Sequence, residues 1–146
     1  MQNSMKKILK FIFIFQSLFL YFSVSTIFGG ETPSVTGARV YFINIKDGQT
    51  LKSPFLIQFG LTSEMGIAPA LADWPDTGHF HLIIDSPVPN KNTSISNDHI
   101  HMHMGQTETT LKLTTGKHTM QIVLGDYSHI PHDPPVMSEV ITVNVK

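Results

Sequence analysis

The chain has 146 residues, 41% of them hydrophobic, with 10 basic and 11 acidic side chains, 8 histidines and no cysteine. That length holds about one domain. The lack of cysteine excludes disulfide staples, thiol redox chemistry and a lipidated-cysteine anchor, and a single arginine gives no basic surface for nucleic acid.

The first segment reads as a leader. Lys6, Lys7 and Lys10 form a basic head, and FIFIFQSLFLYFSV (residues 11–24) follows as an apolar run. That run is short of the roughly 20 residues a comfortable membrane span needs. A basic head, a short apolar stretch and small residues after it describe a secretory signal peptide over residues 1–25. Ser23-Val24-Ser25 is the best cleavage site, with Ile27-Phe28-Gly29 and Phe28-Gly29-Gly30 as poorer ones; an uncleaved anchor is the alternative. Removing Lys6, Lys7 and Lys10 leaves 7 basic residues against 11 acidic, a mature net charge near −4 with neutral histidines. The expected location is the periplasm or the exterior of a bacterial cell, with no stable membrane span after cleavage.

Residues 26–37 are small and polar and read as a tether, so the domain is placed at 38–146. ARVYFINI (38–45) has strand composition, KDGQ (46–49) turns on its Asp-Gly, and PFLIQFGL (54–61) is a second strand opened by a proline. TSEMGIAPALADWPDT (62–77) has no sustained period and reads as a long loop with Trp74 in it. GHFHLIID (78–85) is a third strand, followed by a Pro- and Asn-rich loop (86–98). HIHMHM (99–104) is a short strand or extended loop, TETTLKL (107–113) alternates, and Thr114-Thr115-Gly116 turns the chain. KHTMQIVLGD (117–126) puts Met120, Ile122 and Leu124 on one face. YSHIPHDPP (127–135) carries three prolines and is irregular, and VMSEVITVNV (136–145) closes as a strand. About seven strands without a helical period predict an all-β fold, an immunoglobulin-like antiparallel β-sandwich, with a small closed barrel as the alternative.

All 8 histidines fall between His79 and His132. Residues i and i+2 of a strand share a face. His79 and His81 therefore present two imidazoles to one side, with Phe80 on the other. His99, His101 and His103 do the same, with Ile100, Met102 and Met104 behind. Two such elements side by side bring imidazoles together, and neutral imidazole is the commonest metal ligand. Nitrogen donors suit zinc(II) or copper(II), whereas thioethers suit copper(I). The loop with Asp126, His129, His132 and Asp133 is placed to close over the same site, although the two aspartates are better explained as turn caps. Met65, Met120 and Met137 read as core filling. His118 reads as a surface residue, Asp85 as a turn former and Glu108 as an outward residue able to support an imidazole.

Taken as a set, RVYFINIKDGQTLKSPFLIQFGL (39–61), MGIAPA (65–70), GHFHLIID (78–85), HIHMHMGQTETTL (99–111) and GKHTMQIVLGDYSHIPHDPPV (116–136) resemble the bacterial domain-of-unknown-function family 4399. The resemblance covers Ala38 to Val145 and is specific, because five motifs occur in order. It implies a small exported domain and no particular reaction. The family's GHHHLLID motif falls on Gly78 to Asp85, with Phe80 in place of its middle histidine. Its HLHFG-type motif falls on His99, Ile100, His101 and Met102, so His103 stands where the family has glycine and ranks below His99 and His101. Its HxPHxPP pattern falls on His129, Pro131, His132, Pro134 and Pro135.

The leading expectation is an exported, non-catalytic module that binds copper or zinc through His79, His81, His99 and His101, with His129 or His132 completing or covering the site. The alternative is an adhesion or assembly sandwich for a cell-envelope protein partner, its histidines forming a hydrogen-bonded network that orders the loops. A metalloenzyme with an open coordination position comes third, because only Asp126 and Glu108 offer themselves as acid–base partners.

Overall fold

The computed structural model describes residues 32–62, 64–90, 92–95 and 100–146. The leader, the first part of the tether and His99 lie outside the described residues. Within them the chain is all-β, as its composition predicts. The strands are β1 (Arg39–Phe42), β2 (Thr50–Leu51), β3 (Phe55–Thr62), β4 (Gly66–Ile67), β5 (Thr77–Ile84), β6 (Ile100–His101), β7 (Glu108–Leu111), β8 (Gly116–Gly125) and β9 (Ile141–Val145).

They form two sheets. The smaller runs β1-β3-β7, all antiparallel. The larger runs β2-β9-β8-β5-β4, with β6 pairing β5 beside β4. Its long pairs, β5 with β8 and β8 with β9, are antiparallel, but β2 joins β9 and β4 joins β5 in parallel. The two parallel additions are two-residue strands, too short to show a period in the sequence, which is why the count exceeds seven.

The alternation along β5 and β8 sets the layers. Phe80 and Leu82 of β5, with Met120, Ile122 and Leu124 of β8, point into a core shared with Val40, Ile57, Phe59, Leu111 and Val143. Phe59 and Phe80 meet across the two sheets with ring centres 5.3 Å apart. Each such buried side chain contributes about 1.5–3 kcal/mol, and emptying the Phe80 site by Phe80→Ala costs about 3–5 kcal/mol. On the opposite face of the same pair, Ile83 and Val123 form a smaller apolar cluster with Ile95, flanked by Val88 and Met137. That second face also carries His79 and His81.

The expected continuous strand over 136–145 is interrupted. Leu124 N–H donates to Val136 O and Ser138 N–H to Ile122 O, but Ile122 N–H is taken by the Ser138 hydroxyl at 2.9 Å. A side-chain acceptor replaces the backbone carbonyl there, the ladder breaks, and Glu139 and Val140 turn outward before β9 resumes at Ile141. Thr32 to Ser34 are held to the 126–134 segment by a bridge between Pro33 and Asp133 and by hydrogen bonds at Ser34 and Asp133.

Candidate functional site

His79 and His81 are both completely buried. Being two apart on β5, they share the face turned away from the main core. Opposite His79 on β8 stands Gly125. A Cβ there would lie 2.5 Å from Nε2 of His81. The glycine is thus what leaves room for the second imidazole.

His129 reaches the same place from the loop after β8, and Asp126 shapes that loop. Its Oδ1 accepts the Ser128 and Ile130 N–H groups, each at 2.9 Å, and its Oδ2 accepts the Thr32 hydroxyl at 2.7 Å. Hydrogen bonds to a charged group contribute about 1.5–3 kcal/mol each. The backbone adds Asp126 N–H to Ile130 O and His129 N–H to Asp126 O. His129 itself has a φ of 65°. A residue with a Cβ holds that left-handed conformation only when its surroundings fix it. Turn-capping, the alternative reading of Asp126, is therefore its role, and through it the carboxylate positions His129.

His79, His81 and His129 bring one ligand atom each to within 4.8 Å of one another. Their ring centres are 4.5, 4.7 and 5.5 Å apart. His79 Nε2 and His129 Nδ1 lie 2.9 Å apart, so one imidazole donates to the other. Bonds of about 2.0–2.1 Å place two nitrogens of a tetrahedral zinc roughly 3.3 Å apart. The donor set fits a borderline divalent ion, provided the widest pair draws in by about 1.5 Å on binding. His129 is the least buried of the three.

Burial holds the His129 pKa below the ordinary 6.5, and the facing His103 adds to this while Asp126 partly opposes it. The lowered pKa favours the neutral ring, which is the form that binds a metal.

The other sequence candidates are distributed differently. The backbone of His101 pairs with that of His81 in the β5–β6 register. His132 is completely buried but is not one of the three that converge. Its Nδ1–H donates to Pro33 O at 3.3 Å, and its Nε2 has no hydrogen-bond partner among the described residues. A Cβ on Gly78 would meet that Nε2 at 2.9 Å and the core residue Leu124 at 2.9 Å, so His132 packs against the other side of β5 from the triad. Burial lowers its pKa, against hydrogen bonds to Pro33 and Thr32 that raise it. His103, ranked low in the sequence, has its ring centre 5.1 Å from that of His129 and 6.4 Å from that of His79. The regular strand in HIHMHM ends at His101, and a turn follows, with Gly105 N–H donating to Met102 O. Met102 is packed in the main core as expected, whereas Met104 is 75% exposed rather than packed behind the histidines.

His118 and Asp85 are tied to each other, away from the triad. His118 Nδ1–H donates to Asp85 Oδ2 at 2.6 Å and Nε2–H to Thr114 O at 2.9 Å. With its side chain only 11% exposed, His118 is not the surface residue expected. Glu108 is exposed and accepts from Gln58 Nε2, in keeping with its outward reading.

Fold and site together define a small all-β domain with a cluster of histidines beneath a carboxylate-braced loop. The family model for the domain of unknown function DUF4399 matches residues 57–146, more than half of the chain, and the protein belongs to that family. Neither the curated proteins nor the solved structures offered a match.

Proposed function

We propose that the protein is an exported, non-catalytic binding module that holds a transition-metal ion, zinc or copper, on His79, His81 and His129. The convergence of three imidazoles within 4.8 Å, two of them fully buried, carries this reading. Two supports stand beside it. Gly125 is the residue that makes space for His81, and neutral imidazole suits zinc(II) and copper(II). Binding is preferred to catalysis because Asp126, the nearby buried carboxylate, already has both oxygens engaged in holding its loop. Sequence spacing also offers His99 and His101 as alternatives for completing the set, His101 through its backbone register with His81. His132 is better explained as a packing residue. Export to the periplasm or exterior rests on the basic and apolar leader, and the immunoglobulin-like reading rests on the number and spacing of strands in the sequence.

Thermal unfolding in rising zinc(II) or copper(II) tests the reading. A site-specific ligand stabilises by about 2.7 kcal/mol at one hundred times its Kd. The stabilisation is expected in the wild type and absent in His81→Ala/His129→Ala. Equal shifts in both proteins, or none in either, would contradict it.

The 2.9 Å contact between His79 and His129 favours a second reading, an envelope adhesion or assembly domain whose histidines form a structural network. In that case metal leaves stability unchanged, and replacing exposed loop residues abolishes capture of an envelope protein.

A further inference from the structure

Three imidazoles leave a metal with an open position, and a fourth ring stands beside them. We propose, resting on the metal reading above, that His103 is the fourth ligand and closes the site as an all-nitrogen, four-coordinate centre for a borderline divalent ion. An ion held at about 2.0–2.1 Å by imidazole nitrogens in tetrahedral array spaces the ring centres roughly 5 Å apart. The His103 ring centre lies 5.1 Å from that of His129, between the 4.7 Å of His79 and the 5.5 Å of His81 from the same ring. It lies 6.4 Å from the His79 ring centre. Ligation of both by one ion needs an approach of about 1 Å.

The chain aims His103 at this place. Met102 N–H donates to Phe80 O, and the Met102 side chain is buried in the main core. The turn that starts there sets the His103 ring on the other face, beside His129 and His79. The turn closes through Gly105 N–H to Met102 O, with Gly105 at a φ of 75°, and Ala70 N–H donates to His103 O at 2.8 Å. Exposure rises from His79 and His81, fully buried, through half-buried His129 to exposed His103. The ion therefore meets His103 last in burial and first on arrival, and the exposed turn is the part that shifts to seal it.

The donor set also selects the ion. Met102 is committed to the core, so its thioether is withheld from the site. Four imidazoles without a thioether favour zinc(II) or copper(II) over copper(I). A centre with four protein ligands leaves no position for an activated water, which separates a binding site from a catalytic one.

The test is cobalt(II) titration of the full chain followed by visible absorption, with azide added at saturation. The wild type is expected to give an intense tetrahedral spectrum that azide does not change. His103→Ala is expected to bind at least about tenfold more weakly, the lower bound for losing even an outer partner, and to give a spectrum that azide shifts. Because His103 is exposed, far-UV circular dichroism of this variant should match the wild type. An azide-sensitive wild type, an azide-silent His103→Ala, or azide sensitivity opened by His101→Ala and not by His103→Ala would overturn the assignment while leaving the metal reading intact. Failure of the wild type to bind cobalt or zinc stoichiometrically would remove both.

Discussion

His79 Nε2 and His129 Nδ1 face each other at 2.9 Å across 50 residues of sequence. Between two imidazoles at that distance one proton is shared. A metal that takes both nitrogens must displace it, because only the deprotonated nitrogen binds. The proton can move to the far nitrogen of its own ring, Nδ1 of His79 or Nε2 of His129, and a neutral ring then binds without releasing a proton to solvent. The apparent calorimetric enthalpy at neutral pH should therefore be independent of the ionisation enthalpy of the buffer, and a marked buffer dependence would count against insertion between two neutral rings.

Gly125 leaves no room for a side chain beside the histidines. A methyl group there would sit 2.5 Å from Nε2 of the buried His81 ring and 3.5 Å from the His129 backbone. Gly125→Ala is expected to cost about 1–3 kcal/mol through overpacking and to displace His81 from the site. Urea unfolding and zinc titration of this variant check the two effects separately. Retention of wild-type affinity would show that His81 is not a ligand.

Asp126→Ala removes no ligand but releases the loop that presents His129. Two backbone N–H groups and the Thr32 hydroxyl lose their acceptor. A stability loss of about 2–4 kcal/mol is expected, with metal affinity falling in parallel. Hydrogen exchange at Ser128 and Ile130 should accelerate, and unchanged protection there would show that the carboxylate does not brace the loop.

The pH dependence of binding follows from the depressed pKa of His129. Burial is the larger cause and His103 the second, with Asp126 opposing. The loss of affinity that His129 itself causes should set in below 6.5, as this ring takes a proton. Stability of the metal-free protein should move the same way. The folded state binds fewer protons than the unfolded chain between the depressed value and 6.5, so stability is lost as pH falls through that window. His132, also depressed by burial, acts in the same direction. Urea midpoints across the acid range, with and without zinc, check both statements.

The ion pair of His118 and Asp85 has the opposite high-pH limb. Hydrogen bonds to Asp85 and Thr114 raise the His118 pKa, so its contribution is complete below 6.5 and is lost as pH rises through the folded value. Burial raises the Asp85 pKa, but its bonds to His118 and Thr119 outweigh this and lower it. Its contribution is complete above 3.8 and is lost as pH falls through the folded value. Asp85 is half exposed, so the pair contributes at most about 1 kcal/mol. Asp85 has a φ of 51°. Asparagine tolerates that left-handed conformation, so Asp85→Asn should flatten both limbs in a pH series of urea midpoints without straining the turn.

Much of the scaffold is legible from alternation. GHFHLIID separates His79 and His81 from Phe80 and Leu82, and the same two faces appear in β5. Met120, Ile122 and Leu124 are buried together in the core as the pattern of β8 requires. What the pattern misses is decided by contacts between distant residues. His118 and Asp85 are 33 positions apart, and neither segment announces the other. The break at Ser138 depends on a hydroxyl competing for one N–H group. The alternation in HIHMHM suggests one long strand face, but Met102 and Gly105 form a turn. That turn brings His103 beside His129, although the family pattern ranks it low. Gly125 is legible in the sequence only as a glycine in a strand, a recognised mark of close approach. The register is what places it beside the histidine pair and against His81.

Whether the three imidazoles hold a metal is decided by calorimetric titration of zinc(II) and copper(II) into the protein at neutral pH, repeated on His81→Ala/His129→Ala. One saturable, stoichiometric event is expected in the wild type and none in the double variant. Undiminished binding by that variant, or no saturable binding by the wild type, would contradict the metal reading and leave the histidines as a structural network.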